Sequence, residues 1–431
     1  MRILQNMLTA LVSAPNRMRA LALGQPADVA SNPETAVEAV LSATGEVSSL
    51  VYAGTLLDQV EAMDGKALQD LLTHLATNYD IDAKALAEAA ALYARSSDAS
   101  GLARLTSLAE PRWMDLFRRL NATDGGTVRL VRLRERILKL TRDLPDAARI
   151  DAGLKSLLKM WFNPGFLILQ PIDWSTPANI LEKIIAYEAV HEISSWEDLR
   201  ARLAPEDRRC FAFFHPSMPE EPLIFVEVAL TDHTPGEIAP ILRIDRETIS
   251  GNSASTAVFY SISNCQSGLA GISFGNFLIK RVAQELKQEF PDLKRFVTLS
   301  PVPGLMRWLR VKEPELATLF LGGDDAFWKE EAADKEHEFK AAALRYFLES
   351  DREDQLPNDP VARFHLGNGA SLEQLNFAAD LSEKGISQAG GMMVSYLYDL
   401  AVVEANHEAF NETKQVPLSA ALRQLQRSLK S

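Results

Sequence analysis

Cysteine is scarce in this chain: Cys210 and Cys265 are the only two among 431 residues. Two thiols cannot build a disulfide framework, nor a zinc site by themselves, and their scarcity suits a reducing compartment. A basic excess is missing as well. Lys and Arg number 45 against 58 Asp and Glu, a net charge of −13, whereas a general nucleic-acid binder needs the opposite balance. A local pair such as Lys280-Arg281 can still hold a small anion. No apolar run reaches the ~18 residues that a membrane span needs, so no membrane partner is expected. Low-complexity tracts and internal repeats are absent too. What remains is a globular composition, 47% hydrophobic and 24% charged, on a chain too long for one ordinary core.

The N-terminal stretch MRILQNMLTALVSAPNRMRALALG is basic and mildly amphipathic, with a broken apolar stretch and no clean cleavage site. It does not read as a secretory signal. The terminal QRSLKS is not the SKL of peroxisomal proteins. Cytoplasmic residence is the expectation.

Residues 1–160 read as helix after helix. The segments 66-KALQDLLTHLATNY-79, 82-DAKALAEAAALYARSS-97 and 126-GTVRLVRLRERILKLTRDL-144 repeat apolar residues at i, i+3, i+4 and i+7. Asp82 is placed to cap the second, and nothing here alternates like a strand. The character changes near Trp161. Short apolar runs bounded by turn residues predict strands over 166–174, 210–216, 222–231, 255–263 and 294–300. Helices are expected over 177–188, 195–203 and 276–290. The strands at 210–216 and 222–231 should form a hairpin. Those at 255–263 and 294–300 flank a helix and should run parallel. Residues 304–350 read as a charged helical insertion, 391-GMMVSYLYDL-400 alternates, and the C-terminal segment reads as a helix with a polar tail. The fold class expected is α + α/β: an all-helical domain over 1–160, then a mixed β-sheet domain with a helical insertion over 161–431.

The stretch 266-QSGLAGISFGNFLIKRVAQEL-286 contains Gly271-Ile272-Ser273-Phe274-Gly275, which spells G-x-S-x-G. A hydrolase elbow puts that serine on a sharp turn directly between strand and helix, and Asp351, Asp359 and His365 are available downstream as partners. However, the strand signal ends near Ser263, and Asn264 to Gly271 intervene. A second reading is a cradle. Gly268, Gly271 and Gly275 let backbone approach a ligand, and the helix from about Asn276 aims free N–H groups and a dipole at an anion such as pyrophosphate. A plain surface loop explains the glycines as well, so the residues alone leave all three open.

Four blocks narrow this. The segments 208-RRCFAFFHPSMPEEPLIFVEVALT-231, 257-AVFYSISNCQSGLAGISFGNFLIKRVAQELKQEFPDL-293, 298-TLSPVPG-304 and 360-PVARFHLGNGA-370 closely resemble the malonyl-CoA decarboxylase family. The likeness runs in order from about residue 70 to 400. The resemblance implies a helical domain used in assembly, so a homo-oligomer (a dimer or tetramer). It also implies a catalytic domain with the fold of the GCN5-related N-acetyltransferases. By position it implies that Ala270, Gly271, Ile272, Ser273, Phe274, Gly275 and Asn276 bind the acyl-CoA substrate, malonyl-CoA. It implies likewise that Ser300 and His365 are the catalytic pair. An acidic residue of some animal members is Ser273 here, and the missing SKL terminus is a second departure.

The chemistry agrees with such a pair. Malonyl-CoA can lose CO2 because its thioester carbonyl is an electron sink, so neither metal nor organic cofactor is expected. The protein must hold the carboxylate out of the thioester plane, stabilise the enolate and protonate carbon. A serine orients a carboxylate without the salt bridge that would stabilise the ground state, and a histidine titrates near working pH. On residue type alone, Ser300 is as readily a strand-ending turn residue and His365 a buried structural histidine. His74, His191, His233, His337 and His407 are expected to be exposed, and His215 to be structural. Lys280 and Arg281 are candidates for coenzyme A phosphates or for a solvated helix face. Asn376 is a candidate support for His365. Glu227 sits in an apolar strand and needs a partner if that strand is central. Two further functions fit the same scaffold: an acyl-CoA-dependent N-acyltransferase, and a non-catalytic acyl-CoA-binding regulator.

Overall fold

The computed structural model describes residues 29, 31–272, 275–323 and 326–429. They fall into two compact units. One comprises Met1–Leu167 with His215–Pro219 and Gln266–Ile272; the other comprises Ile168–Phe214, Glu220–Cys265 and Ser273–Ser431. A cut at 160/161 assigns the two short segments to the sheet domain, whereas their contacts place them with the helices.

The first unit is built from α1 (Pro33–Ser42), α2 (Glu46–Ala62), α3 (Gly65–Asn78), α4 (Ala83–Ser96), α5 (Ala99–Leu108), α6 (Arg112–Asn121), α7 (Gly126–Leu140) and α8 (Pro145–Trp161). Four of the eight starts follow side-chain capping chemistry. Asp82 Oδ1 accepts the Lys84 and Ala85 amides, both at 3.0 Å, and Asp64 and Asp98 open α3 and α5 in the same way. The periodic leucines then share one interior. Leu68, Leu71, Leu72 and Leu75 of α3 meet Val37, Leu56, Leu116, Phe117 and Leu133 there, each worth ~1.5–3 kcal/mol of apolar burial. The α4–α5 hairpin is different. Of α4 only Ala89 is buried and of α5 nothing is, while Leu92 and Leu102 stand 51% and 47% exposed.

The second unit is a mixed sheet with helices packed against it. Its strands are β1 (Ile168–Ile172), β2 (Arg208–Phe214), β3 (Ile224–Thr231), β4 (Thr256–Asn264), β5 (Arg295–Thr298), β6 (Ser300–Pro301), β7 (Ser371–Asn376) and β8 (Met393–Leu397). The order is β1-β2-β3-β4-β5-β8-β6, with β7 also paired to β8. β2 and β3 form the expected hairpin, and β4 and β5 run parallel around α12 (Gly275–Glu289). Glu227 faces Ser261 while Val228 faces Phe259, so Tyr260 is the extra residue of a bulge. One strand expectation is corrected. The run 294–300 breaks at Leu299 into β5 and the short β6, and Ser300 pairs antiparallel with Val394. It therefore does not end the parallel strand.

On one face, Ile180, Leu181 and Ile184 of α9 (Ala178–Tyr187) and Leu199 of α10 (Trp196–Leu203) pack on Ala212, Phe214 and Phe225. Further along the same face, Ile238 and Ile241, the latter in α11 (Ala239–Leu242), meet Val258, Val297 and Leu299. The insertion carries α13 (Leu305–Lys312), α14 (Pro314–Gly322) and α15 (Glu336–Leu348). The C-terminal part adds α16 (Pro360–Gly367), α17 (Glu383–Ala389), α18 (Val403–Thr413) and α19 (Ala420–Ser428), two terminal helices where one was expected. Both cysteines are buried and free.

Glu227 lies on a central strand, fully buried, and its partner is Arg202 of α10, whose guanidinium donates to Glu227 Oε2 at 3.1 Å. Arg202 also donates to the His191 and Glu192 carbonyls. Burial pushes the Glu227 carboxyl up to about 8 against the pull of Arg202. A carboxyl raised from 4.5 binds more protons folded than unfolded, so its contribution to stability falls as pH rises from 4.5 through about 8. Urea unfolding at several pH values should show that decline, and Glu227→Gln should remove it. Arg202→Met, which removes the donor held by Glu227 Oε2 and by the His191 and Glu192 carbonyls, should destabilise by about 1–3 kcal/mol at neutral pH.

Candidate active site

Two short elements bring the expected pair together. Ser300 sits in β6, where the break at Leu299 redirects the chain, and His365 sits in the last turn of α16. Their side chains are 6% and 3% exposed, and Ser300 Oγ lies 3.2 Å from His365 Nε2. Ser300 donates its own proton to Thr298 Oγ1 at 2.9 Å, and Thr298 Oγ1 also accepts the Tyr396 amide at 3.1 Å. With its proton so directed, the serine oxygen is free to accept from Nε2–H. The other ring nitrogen, Nδ1, then accepts from the Tyr398 hydroxyl, 2.8 Å away. The Tyr396 ring stacks on the imidazole, centroids 4.5 Å apart and planes 23° apart. Nδ1, Nε2 and one ring face are all held.

These supports come from the strand period of two. Thr298 and Ser300 project to one face, as do Tyr396 and Tyr398. Sequence reasoning singled out none of the three neighbours, although the alternation in 391-GMMVSYLYDL-400 was the available signal. Burial pushes His365 down to about 3, not the near-neutral value expected of its residue type, because nothing anionic beside the ring offsets the lost hydration. Burial also holds Tyr398 well above the ordinary phenol range.

Helix α16 is itself anchored. Asp359, fully buried, caps it by accepting the Ala362 amide at 2.8 Å, while Pro360 supplies the first turn. The other Asp359 oxygen accepts from Tyr346 at 3.3 Å. A Cβ on Gly304 would collide with that tyrosine hydroxyl, so the glycine closing 300-SPVPG-304 is required by the same brace. Burial pushes the Asp359 carboxyl up to about 6.

Ser300 and His365 open into a cavity of about 330 Å³ with Phe259, Ile262, Val361 and Phe364 as apolar wall and Asn264 at its rim. No Lys, Arg, Asp or Glu lines it among the described residues. The arrangement can hold an anionic acyl group with neutral donors.

Of Ala270–Asn276, the residues Ala270, Gly271 and Ile272 are described within the helical unit, Gly275 and Asn276 open α12, and Ser273 and Phe274 lie outside the described residues. Arg134 of α7, 1% exposed, donates to the Gly268 and Ala270 carbonyls at 2.7 and 3.0 Å and is held by Asp151 at 2.7 Å. Because β4 ends at Asn264 and a 3₁₀ turn, Ser267–Leu269, follows, the sharp strand–serine–helix turn of an elbow is not formed. Lys280 is paired with Glu404 at 2.7 Å and Arg281 with Glu285 at 3.5 Å. His215 is structural, Nε2 lying 3.1 Å from the Trp161 carbonyl oxygen. His191 corrects its expectation: it is buried, and burial pushes it down to about 4. Asn376 donates to Ser395 rather than to His365.

Comparison with known proteins decides the family. The model for the malonyl-CoA decarboxylase C-terminal domain matches residues 165–431, and that for the N-terminal domain matches 79–162. This chain belongs to the malonyl-CoA decarboxylase family. It is 35% identical to the mitochondrial malonyl-CoA decarboxylase of Rattus norvegicus over 81% of this chain and 80% of that one. Solved malonyl-CoA decarboxylases from Rhodopseudomonas palustris and Agrobacterium vitis are 46% and 47% identical, both with TM-score 0.86. Each comparison covers 92% of this chain and 99% or more of the other. As a malonyl-CoA decarboxylase the chain is a carbon–carbon lyase.

Asp359→Ala should lower unfolding stability by about 1–2 kcal/mol, the worth of a helix cap, and should reduce turnover by loosening His365. Asp359→Asn, which caps equally well, should keep most of both. Thermal melts alongside steady-state rates check this, and equal losses in the two variants would contradict the capping account.

Proposed function

We propose that this enzyme converts malonyl-CoA to acetyl-CoA and CO2 without metal or organic cofactor, with Ser300 engaging the malonyl carboxylate and His365 protonating carbon. The observation that carries the proposal is the buried Ser300–His365 contact of 3.2 Å facing a cavity lined by uncharged residues. An ammonium or guanidinium there would hold the carboxylate as an ion and deepen the ground state. Neutral donors orient it while leaving its charge poorly solvated, and decarboxylation relieves that. The C–C bond then breaks, its electron pair passes into the thioester as an enolate, and CO2 departs.

His365, neutral on its own, meets an anion when substrate arrives. A negative charge within a few ångströms favours the imidazolium: Nδ1 takes up the extra proton beside the Tyr398 hydroxyl, and Nε2–H becomes the acid that supplies the proton carbon needs. After transfer the imidazole regains a proton from solvent, and the net reaction consumes one. Tyr398 keeps the ring aimed throughout. The stretch Ala270–Asn276 belongs to the same proposal as the acyl-CoA loop, supported by its glycines and by the fixed carbonyls of Gly268 and Ala270.

We also propose a homo-oligomer assembled through the helical unit, because the α4–α5 hairpin leaves Leu92 and Leu102 uncovered. Sedimentation should give a dimer or tetramer, and a Leu92→Glu/Leu102→Glu chain should sediment as a smaller species with its melting temperature retained. Cytoplasmic residence is part of this proposal and is checked by cell fractionation; the curated relative is named mitochondrial.

The decisive assay incubates the full chain with malonyl-CoA and EDTA and measures acetyl-CoA and CO2. Equal yields are expected. Ser300→Ala and His365→Ala should lose about 10²–10⁴-fold in kcat. Tyr398→Phe should lose about tenfold, the size of one orienting hydrogen bond, and Ser273→Ala should stay near wild type. Free coenzyme A and malonate as products would instead mean hydrolysis, and an unchanged substrate would mean a binding protein.

A further inference from the structure

We infer that Lys155, in the last helix of the helical unit, is a phosphate-binding residue for coenzyme A. The inference rests on the acyl-CoA role proposed above for the loop through Gly271. Lys155 follows Asp151 by one turn on α8, the order in which an acid and a lysine ordinarily pair along a helix. That pairing is pre-empted. Asp151 Oδ1 is 2.7 Å from Arg134 Nε, and among the described residues Lys155 has no carboxylate within ion-pair reach. In a chain carrying a net charge of −13, an ammonium left without a counter-charge beside a glycine loop is conspicuous.

Its position is specific. Gly271 turns the chain at φ +73°, and a Cβ there would stand 2.6 Å from Lys155 Nζ and 3.0 Å from Cε. The ammonium thus lies against backbone with no side chain between. The Gly268 and Ala270 carbonyls of the same loop already take hydrogen bonds from Arg134. Arg134 is nearly fully buried and bonded on several sides, so it fixes the loop and is not itself available to a ligand. What the loop presents at Gly271 is a bare peptide edge and a free cation, which suits an approaching phosphate oxygen. Lys280 and Arg281, the basic pair evident in the sequence, are held by Glu404 and Glu285; Lys155 is not.

The test compares ligands with and without nucleotide phosphates, using the full chain and its Lys155→Met and Lys155→Arg variants. In calorimetric titrations, Lys155→Met should weaken coenzyme A binding by about tenfold, as expected for one charge-assisted hydrogen bond, and Lys155→Arg should recover most of it. Pantetheine, which carries no phosphate, should bind all three chains alike. In steady state, Lys155→Met should raise KM for malonyl-CoA with little change in kcat, and its preference for malonyl-CoA over malonyl-pantetheine should fall by the same factor. Dephospho-coenzyme A identifies the phosphate. A persistent gap between variants assigns the pyrophosphate, and a vanished gap assigns the 3′-phosphate.

Equal coenzyme A affinity in wild type and Lys155→Met would overturn the inference, as would parallel losses on coenzyme A and pantetheine. A wild-type chain that binds coenzyme A but releases no CO2 would sink the decarboxylase mechanism alone, with Lys155 still judged by the titrations. A wild-type chain that binds no coenzyme A would sink both.

Discussion

The structure around the site depends on one constraint: an imidazole must be kept dry and uncharged without losing its orientation. A buried ring with unsatisfied nitrogens would be costly, and a buried ring with an anionic neighbour would charge. The chain avoids both by giving His365 two hydroxyl neighbours, Tyr398 at Nδ1 and Ser300 at Nε2, and an aromatic plane in Tyr396. Much of the local architecture follows from that choice. The break at Leu299 turns Ser300 toward the ring, the antiparallel β8 and the residue just past its end supply two tyrosines, and the Asp359 cap fixes the helix that carries the histidine.

A buried polar network of the other kind sits elsewhere in the same sheet. Glu227 and Arg202 are ionisable, central and almost fully dehydrated, and Arg202 ties the pair to the loop carbonyls at 191 and 192. Val190, just before these, lines the cavity. Arg202 and the carboxyl it holds therefore shape a wall of the site from behind while the site itself stays neutral. Keeping charge out of the cavity and using it in the frame is a coherent division, because fixed charges there strengthen loop geometry without stabilising a bound carboxylate.

Much of the fold was legible because its signals are local. Helical periodicity marked α3, α4 and α7 to within a few residues, Asp82 announced its cap, and short apolar runs marked the strands. The parallel β4–β5 pair followed from the strand–helix–strand order. The misses were non-local. Whether 294–300 is one strand or two depends on how β8 divides its hydrogen bonds, which no window of sequence contains. His191 looked like a loop histidine until the sheet buried it. Ser300 and His365 were legible through long ordered blocks shared with a family, while residue type alone favoured ordinary structural roles for both. Tyr398 and Lys155 carried no motif, and Asp359 drew notice only as an elbow partner; what singles them out is what folding sets beside them.

The seat of residues 266–272 has a consequence for how this protein comes into being. That segment is encoded deep within the sheet-forming half, yet a glycine packed against the Val131 carbonyl and a buried guanidinium hold it to helices made much earlier. On the ribosome, where N-terminal domains generally fold first, the helices emerge before the segment and can wait for it as a preformed dock. The sheet-forming half synthesised alone would have no such dock. The amino-terminal half thus acts as a template for residues 266–272 within one polypeptide, and separating the halves into independent modules would part that segment from its seat.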